Sequence, residues 1–391
     1  MKTITIEELE QLTPGSVTIV DVRPADTYQR GTFEGAINVP MKEFVDRYEE
    51  IPKDKPVWVL CHTGERSLDY VELLCFHGYD AGNITGGYRA YLRLQLERFM
   101  KEEDARKEKT KEIERSLIKK FRKSIWRSFT RAIQKYDLIQ EGDKISVCIS
   151  GGKDSMLMAK LMQELQRHSD VPFELVFLVM DPGYNEINRQ KIESNAELLH
   201  IPVTIFESNI FAVANNTDKN PCYLCARMRR GHLYSKAREL GCNKIALGHH
   251  FNDVIETTVM SMFYGSQLQA MPPKLHSTSF PGMTLIRPIY CIREEDILAW
   301  KRYNELEFIQ CACRFTENCT MCDNGGGGSK RQEVKTLLRR LKRENPNIEN
   351  SIFRSIHAVA LDTMPGYKSE GVEHSFLERF NEKEQEFYAE D

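Results

Sequence analysis

Three groups of residues in this sequence have types and spacings suited to chemistry. The first is Ser150-Gly151-Gly152-Lys153-Asp154-Ser155. It follows the apolar run Ile145-Ser146-Val147-Cys148-Ile149 and precedes Met156, Leu157, Met158 and Leu161, the pattern of a strand, a glycine turn and a helix start. Adjacent glycines let the chain turn sharply and bring backbone N–H groups to an anion, and the helix N-terminus adds unpaired donors. Lys153 adds a point charge and Ser150 and Ser155 add hydroxyls, so the stretch reads as a phosphate cradle. Its spacing is not that of GxxxxGK[ST], whose glycines stand five apart.

The second group is Cys61-His62-Thr63-Gly64-Glu65-Arg66-Ser67, reached directly from the apolar run Val57-Trp58-Val59-Leu60. A cysteine at the end of a buried strand, opening a loop that leads into a helix, is expected to face several N–H groups. These lower a thiol pKa and stabilise an anionic or persulfidic sulfur, with Arg66 as a nearby cation. His62 reads as a loop residue without a chemical role. The third group is cysteine pairs: Cys222 and Cys225 as CxxC, then Cys311, Cys313, Cys319 and Cys322 about ninety residues later. Thiolates so spaced suit a shared metal or a redox pair, and on spacing alone a zinc knot and an iron–sulfur site both remain open.

The elements that must position these groups alternate between strand and helix. Up to about residue 97, Val17–Val20 and Val57–Leu60 read as strands, and Lys42–Tyr48 and Leu68–His77 as helices. Residues 98–113 are mixed charge, a solvated helical linker. From Arg115 to Lys135 the charged residues are all basic, and Leu117, Phe121, Ile125 and Phe129 recur at helical spacing. The expectation is one amphipathic helix whose face, with Lys119, Lys120, Arg122, Lys123 and Arg127, meets a polyanion; Arg229 and Arg230 after the CxxC extend it. Beyond Gly142 come Phe173–Asp181, Val203–Phe206 and Lys244–Leu247 as strands, with Asn188–Leu199 and Gly231–Glu239 as helices. The fold class is α/β: a small α/β domain, then a doubly wound parallel sheet with ligand at the strand carboxyl ends. The glycine loop, Asp181 and Gly248-His249-His250 sit at such ends. Lys330–Arg343 reads as a second basic helix, and residues from 367 onward as an acidic tail.

At 391 residues, with 41% hydrophobic and 28% charged residues, the composition is that of a soluble globular protein of two or three domains. No stretch reaches the ~18 uninterrupted apolar residues of a membrane span. Eleven cysteines, behind an N-terminus without an apolar core, argue for reduced thiols or metal ligands in the cytoplasm. Cys75, Cys148, Cys242 and Cys291 read as core packing.

These motifs resemble known families. SGGKDS is similar to the SGGxDS loop of PP-loop ATP pyrophosphatases, which cleave ATP between the α and β phosphates to adenylate a substrate. Asp21-Val22-Arg23, Gly35–Pro40, the CxxGxRS loop, Gly78-Tyr79-Asp80 and Gly86-Gly87-Tyr88 together resemble a rhodanese homology domain, in which Cys61 would carry a persulfide. PCYLCARMRRG, LGHHFNDVIETTVMSMFYG, QLQAMPPKL and IRPIYCIREEDI resemble successive blocks of the tRNA 2-thiocytidine synthetase family, over about 114–366. The resemblance implies ATP with Mg²⁺ at Ser150–Ser155, Asp181 and Gly248, a [4Fe-4S] cluster on three cysteines (Cys222, Cys225 and, just after the strand-like Glu307-Phe308-Ile309, Cys311, with Cys313, Cys319 and Cys322 as alternatives for the third), and tRNA as partner. It implies adenylation of a tRNA cytidine at position 32 and replacement of its O2 by sulfur, with sulfur from a cysteine desulfurase or a thiosulfate-like donor; a homodimer is one open arrangement. Where the family reads HHxDD this chain has Asn252 before Asp253, so Asp253 takes the Mg²⁺ or proton role. Other readings are a PP-loop enzyme with another base or a small molecule as substrate, and a zinc-stabilised sulfur carrier or RNA-binding protein.

Overall fold

The structure, a computed structural model, describes residues 1–208, 210, 221–309, 330–378 and 380–381, with residues 221–226 described as helical backbone only. It divides into two compact units, Met1–Glu108 and Lys109–Asp391. In the first, β1 (Lys2–Ile4), β2 (Thr18–Asp21), β3 (Ile37–Asn38), β4 (Val57–Leu60) and β5 (Ala81–Ile84) form a parallel sheet in the order β1-β5-β4-β2-β3. Its helices are α1 (Ile6–Glu10), α2 (Ala25–Gln29), α3 (Phe44–Arg47), α4 (Ser67–Phe76) and the start of α5 (Gly87–Ile118). Residues 98–113 lie within α5. Val20, Val57, Val59, Val71 and Leu74 fill the core on one side of the sheet, whereas Cys75, expected there, is exposed on α4.

A buried ion pair fixes the edge of this sheet. Arg23 donates from Nε (2.9 and 3.0 Å) and Nη2 (2.5 Å) to the Asp21 carboxylate, with Thr32 Oγ1 donating at 2.7 Å. The side chains are 3% and 0% exposed, and the guanidinium lies 3.6 Å from the Tyr88 ring centroid. Removing one partner strands a buried charge. Asp21→Ala is expected to destabilise the first unit by about 3–5 kcal/mol, and a double change to apolar residues by much less. Hydrogen exchange across residues 1–108 of the full chain measures both; equal losses would refute the stranded-charge account.

In the second unit, the basic stretch after α5 is not one helix. α5 ends at Ile118, a single π-helical turn covers Arg122–Trp126, and α6 is Arg127–Lys135. Leu117, Phe121, Ile125 and Phe129 are all buried and lie four residues apart. In a straight α-helix each such step rotates the buried stripe by ~40°, and a turn with an extra residue resets it. Lys119, Lys120, Arg122, Lys123 and Arg127 are exposed on this segment.

The main sheet comprises β6 (Lys144–Ile149), β7 (Glu174–Asp181), β8 (Val203–Glu207), β9 (Lys244–Ala246), β10 (Lys274–His276) and β11 (Thr284–Ile286), in the order β10-β11-β9-β6-β7-β8. All neighbours are parallel except β10 with β11. The chain runs outward from β6 through β7 to β8 and then returns to β9 on the other side of β6. The topological switch point therefore lies between β6 and β9, where α/β sheets bind ligands. Around the sheet are α7 (Lys153–His168), α8 (Glu186–Leu198), α9 (Pro221–Glu239), α10 (Phe251–Gly265), α11 (Glu294–Tyr303), α12 (Lys330–Glu344) and α13 (Ile348–Ser355). A hairpin of β12 (Gly366–Ser369) and β13 (Val372–Ser375) lies where a tail was expected. Glu307–Ile309, expected as a strand, is not one: Glu307 O accepts from Asn195 Nδ2 (2.8 Å), and Phe308 stacks on Trp300.

Candidate functional site

At the switch point, the loop after β6 turns at Gly151 (φ +80°), where a Cβ would sit 2.6 Å from Ile192. Gly152 caps α7. Ser150 N–H donates to Ser155 Oγ (3.1 Å), and Ser155 Oγ donates to Gly152 O (3.0 Å), so the loop is closed on itself before any ligand arrives. Gly248, after β9, packs against the same helix start: its Cβ would lie 3.2 Å from the Ser155 N and Cα. Between the two loops is a cavity of about 320 Å³ lined by Ser150, Asp154, Ser155, Gly248, His249, Arg229 and Arg230, among others.

Lys153 lies beside this cavity, 3.0 Å from Asp154 Oδ2 and 3.2 Å from Glu294 Oε1. Burial pulls the Lys153 pKa down, but Asp154 and Glu294 outweigh it and hold the ammonium above its ordinary value. Asp154 Oδ1 is buried and has no hydrogen-bond donor among the described residues. His250 Nδ1 accepts the Asp253 N–H at 3.4 Å, which assigns the neutral-ring proton to Nε2; that atom lies 3.5 Å from Asp253 Oδ2 and 3.8 Å from Asp154 Oδ1. His249 is driven down to about 4 by burial and by Arg287, so it is neutral at pH 7, and its Nδ1 is buried without a partner among the described residues.

Two expected residues are already engaged. Asp181 Oδ1 accepts the N–H groups of Gly183 (2.8 Å) and Tyr184 (2.7 Å), and Oδ2 accepts from Arg189 Nη1 (2.7 Å). Burial pushes this carboxyl up, but those donors together hold it below the ordinary range. Asp253 caps α10 by accepting the His250 N–H (3.0 Å) and binds Arg331 Nη2 (3.0 Å). Asn252 has its own structural duty: its Oδ1 accepts the N–H of Glu294 at the start of α11 (3.0 Å). On α12, Arg331 and Lys335 pair with Glu256 and Lys335 with Glu294, while Lys342 pairs with Glu295 and Glu349. Three of the seven basic residues of α12 are thus paired with carboxylates of the same chain.

Cys222 and Cys225 lie in the first turns of α9, three residues apart, and the same helix reaches the cavity wall at Arg229 and Arg230. At 1.5 Å per residue Cys225 is about 6 Å and Cys222 about 10 Å along the axis from Arg229. Their side chains, and Cys311, Cys313, Cys319 and Cys322 entirely, lie outside the described residues, as does the glycine-rich 325–329 stretch. Among the described residues, no group of three His, Cys, Asp or Glu side chains is arranged to hold a metal, and no helix is long and apolar enough to cross a membrane.

In the first unit, Cys61 follows β4 and is 1% exposed. Its Sγ accepts the Gly64 N–H at 3.1 Å and lies 3.1 Å from Ser67 Oγ, which donates to Asn83 Oδ1 at 2.6 Å. Asn83 Nδ2 donates back to Gly64 O (2.9 Å), locking the loop. Gly64 (φ +82°) and Gly87 (φ +57°) permit the approach: a Cβ on Gly87 would sit 2.3 Å from Cys61 O. Among the described residues one loop N–H, not several, bonds the sulfur. His62, Glu65 and Arg66 are exposed and Thr63 is partly buried.

A rhodanese-like domain profile matches residues 5–94, and a PP-loop domain profile matches residues 121–314. The tRNA-cytidine(32) 2-sulfurtransferase of Alcanivorax borkumensis is 37% identical over 254 residues, 63% of this chain and 84% of that protein. The chain belongs to the tRNA-cytidine(32) 2-sulfurtransferase family. The Vibrio campbellii member is 34% identical over 278 residues, covering 69% of this chain and 89% of its own. The U34-tRNA thiolase NcsA of Methanococcus maripaludis, solved with its [4Fe-4S] cluster, is 22% identical over 62% of this chain and 80% of its own, with a TM-score of 0.48. The class expected from the motifs, a tRNA-thiolating sulfurtransferase joining a rhodanese-like and a PP-loop domain, is thereby met.

Sequence reasoning missed Glu294 as a partner of Lys153, Arg331 as a partner of Asp253, and the buried Arg287 next to His249. Glu294 and Arg287 stand in the block IRPIYCIREEDI, but their partners come from α7 and from the β10 region, far away in the chain.

Proposed function

We propose that the PP-loop unit binds ATP with Mg²⁺ and adenylates the C2 carbonyl oxygen of a tRNA cytidine, position 32 as in the relatives' name, and that Cys61 supplies the replacing sulfur as a persulfide. The observation that carries this reading is the switch-point cavity, where a glycine loop, a helix N-terminus, two arginines and a donorless carboxylate oxygen share one space. Backbone N–H groups at Gly151–Lys153 and the Lys153 ammonium hold the phosphates, and Arg229 and Arg230 face them from α9. A buried carboxylate oxygen with no donor fits a cation, so the Mg²⁺ role falls on Asp154, with Asp253 positioning it through His250. Cytidine O2 attacks the α-phosphorus and pyrophosphate leaves, which turns a poor leaving group into AMP. Sulfur then adds at C2 and AMP departs with the original oxygen. An unpaired loop base suits this chemistry, because a flipped-out base exposes C2.

Cys222 and Cys225 suit a soft metal one to two helical turns from the phosphate arginines, and Cys311 is the third ligand implied by family likeness. A [4Fe-4S] cluster held by these cysteines would supply iron able to bind sulfur. In the first unit, the Gly64 N–H stabilises charge on the Cys61 sulfur. Delivery of its outer sulfur as sulfide takes two electrons from a thiol reductant, which becomes a disulfide. Joining the units in one chain raises the effective concentration of donor at acceptor.

Anaerobic purification with iron, sulfide and zinc analysis tests the ligand set. Wild type is expected to hold about four irons and four sulfides per chain, and Cys222→Ala to lose them. Stoichiometric zinc without iron would refute the cluster. With C32 tRNA transcript, 2-thiocytidine and AMP are expected to form in equal amounts, and thiolation without AMP would sink the adenylation step.

A further inference from the structure

A second cavity, of about 530 Å³, adjoins the first and shares Arg230, Tyr234, Leu247 and His249 with it. Its distinctive residue is Arg287, which is 7% exposed. Arg287 Nη1 donates to Pro272 O, while its Nε–H is buried with no acceptor among the described residues. Burial pulls its pKa down to about 10, so it is charged at neutral pH. Among the described residues no carboxylate forms an ion pair with it, and none lines the cavity. A buried guanidinium without a counter-ion is costly, and proteins keep one where an anion will arrive.

The rest of the lining agrees. Arg227 and Arg230 bring two further guanidinium groups, and Ser277, Thr278 and Ser279 bring hydroxyl donors. Phe280, stacked on Tyr234 at 5.0 Å between ring centroids, adds an aromatic face. A triphosphate already has its cradle at the glycine loop, and neither pyrophosphate nor a free phosphate needs an aromatic face. A nucleotide carries both features.

We propose that this cavity seats an RNA backbone phosphodiester next to the cytidine being adenylated, with Arg287 as its buried anchor and Arg227 and Arg230 at its rim. The proposal rests on the tRNA-adenylating reading above and deepens it. Because His249 belongs to both cavities, a phosphodiester held at Arg287 would place the adjoining base toward the ATP phosphates. The neutral His249 ring between them adds no competing charge.

The test uses the full chain as wild type, Arg287→Gln and Arg227→Gln, with three probes: an unmodified C32 tRNA transcript, α,β-methylene ATP and inorganic pyrophosphate. Each variant is expected to bind the transcript about tenfold more weakly and to flatten the slope of log affinity against log salt by about one, with nucleotide and pyrophosphate binding unchanged within about twofold. Arg227 is exposed, so its variant carries the test should Arg287→Gln fail to fold. Transcript binding and salt slope unchanged in Arg227→Gln would overturn the proposal. So would a loss of pyrophosphate or nucleotide affinity in place of transcript affinity, which would give the site to ATP. Wild type that binds nucleotide but no transcript would instead overturn the function proposed above.

Discussion

In a Cys61→Ser variant, incubation with thiosulfate, or with cysteine and a cysteine desulfurase, is expected to add no sulfur atom to the first unit, whereas wild type gains one at Cys61. The rate of sulfur transfer from these donors should fall about 10³-fold or more, because the covalent carrier itself is gone. Serine keeps the shape of the site: its hydroxyl can still accept the Gly64 N–H that now reaches Sγ at 3.1 Å, so the fold should stay intact. Intact-mass analysis of the full chain reads the added sulfur, and sulfide supplied directly should restore thiolation. Thiolation from persulfide donors at an undiminished rate would remove Cys61 from the pathway.

Lys153→Met is expected to lower AMP-forming turnover by about 10²–10³-fold, the scale of removing one preorganised charge-stabilising group. The ammonium is held between Asp154 and Glu294, and both carboxylates outweigh its burial, so it stays charged throughout the physiological range. Incoming phosphates therefore meet a fixed cation already at the helix start. Methionine keeps the length of the side chain but removes the cation that sits between Asp154 and Glu294. Lys153→Arg, which restores the charge, is expected to recover part of the lost rate. Turnover in Lys153→Met within a few-fold of wild type, measured with saturating ATP, would show that the backbone N–H groups act without it.

The parts of this protein that could be read in its sequence are those in which local pattern and buried environment agree. The runs ending at Ile149, Asp181 and Ala246 are mostly apolar because their part of the sheet is covered on both faces, so they announce themselves as strands. The glycine loop and the Cys61 loop were legible for a related reason: each has a strand before it, a helix after it, and backbone turns that glycine serves best. β5, with the sequence Ala-Gly-Asn-Ile, and β3, with two residues, have almost no strand propensity of their own, and neighbouring strands alone recruit them. The break after Ile118 has no glycine or proline to signal it, because it arises from the need to keep a four-residue stripe buried.

The same division runs through the candidate site. Residue type and spacing by themselves determined the glycine turn at a helix start, the cysteine loop that follows a strand, the cysteine pairs and the α/β class, because each depends on contacts within a few residues. Only the tertiary structure decided which charged groups are available. It ties Asp181 to its own turn and Arg189, ties Asp253 to Arg331, pairs part of the basic face of α12 with carboxylates, and leaves Asp154 Oδ1 and Arg287 Nε without partners among the described residues. A carboxylate or guanidinium looks the same in sequence whether paired or not. Its partner comes from a distant element, and the low dielectric around it, which gives pairing its consequence, exists only once the chain has folded.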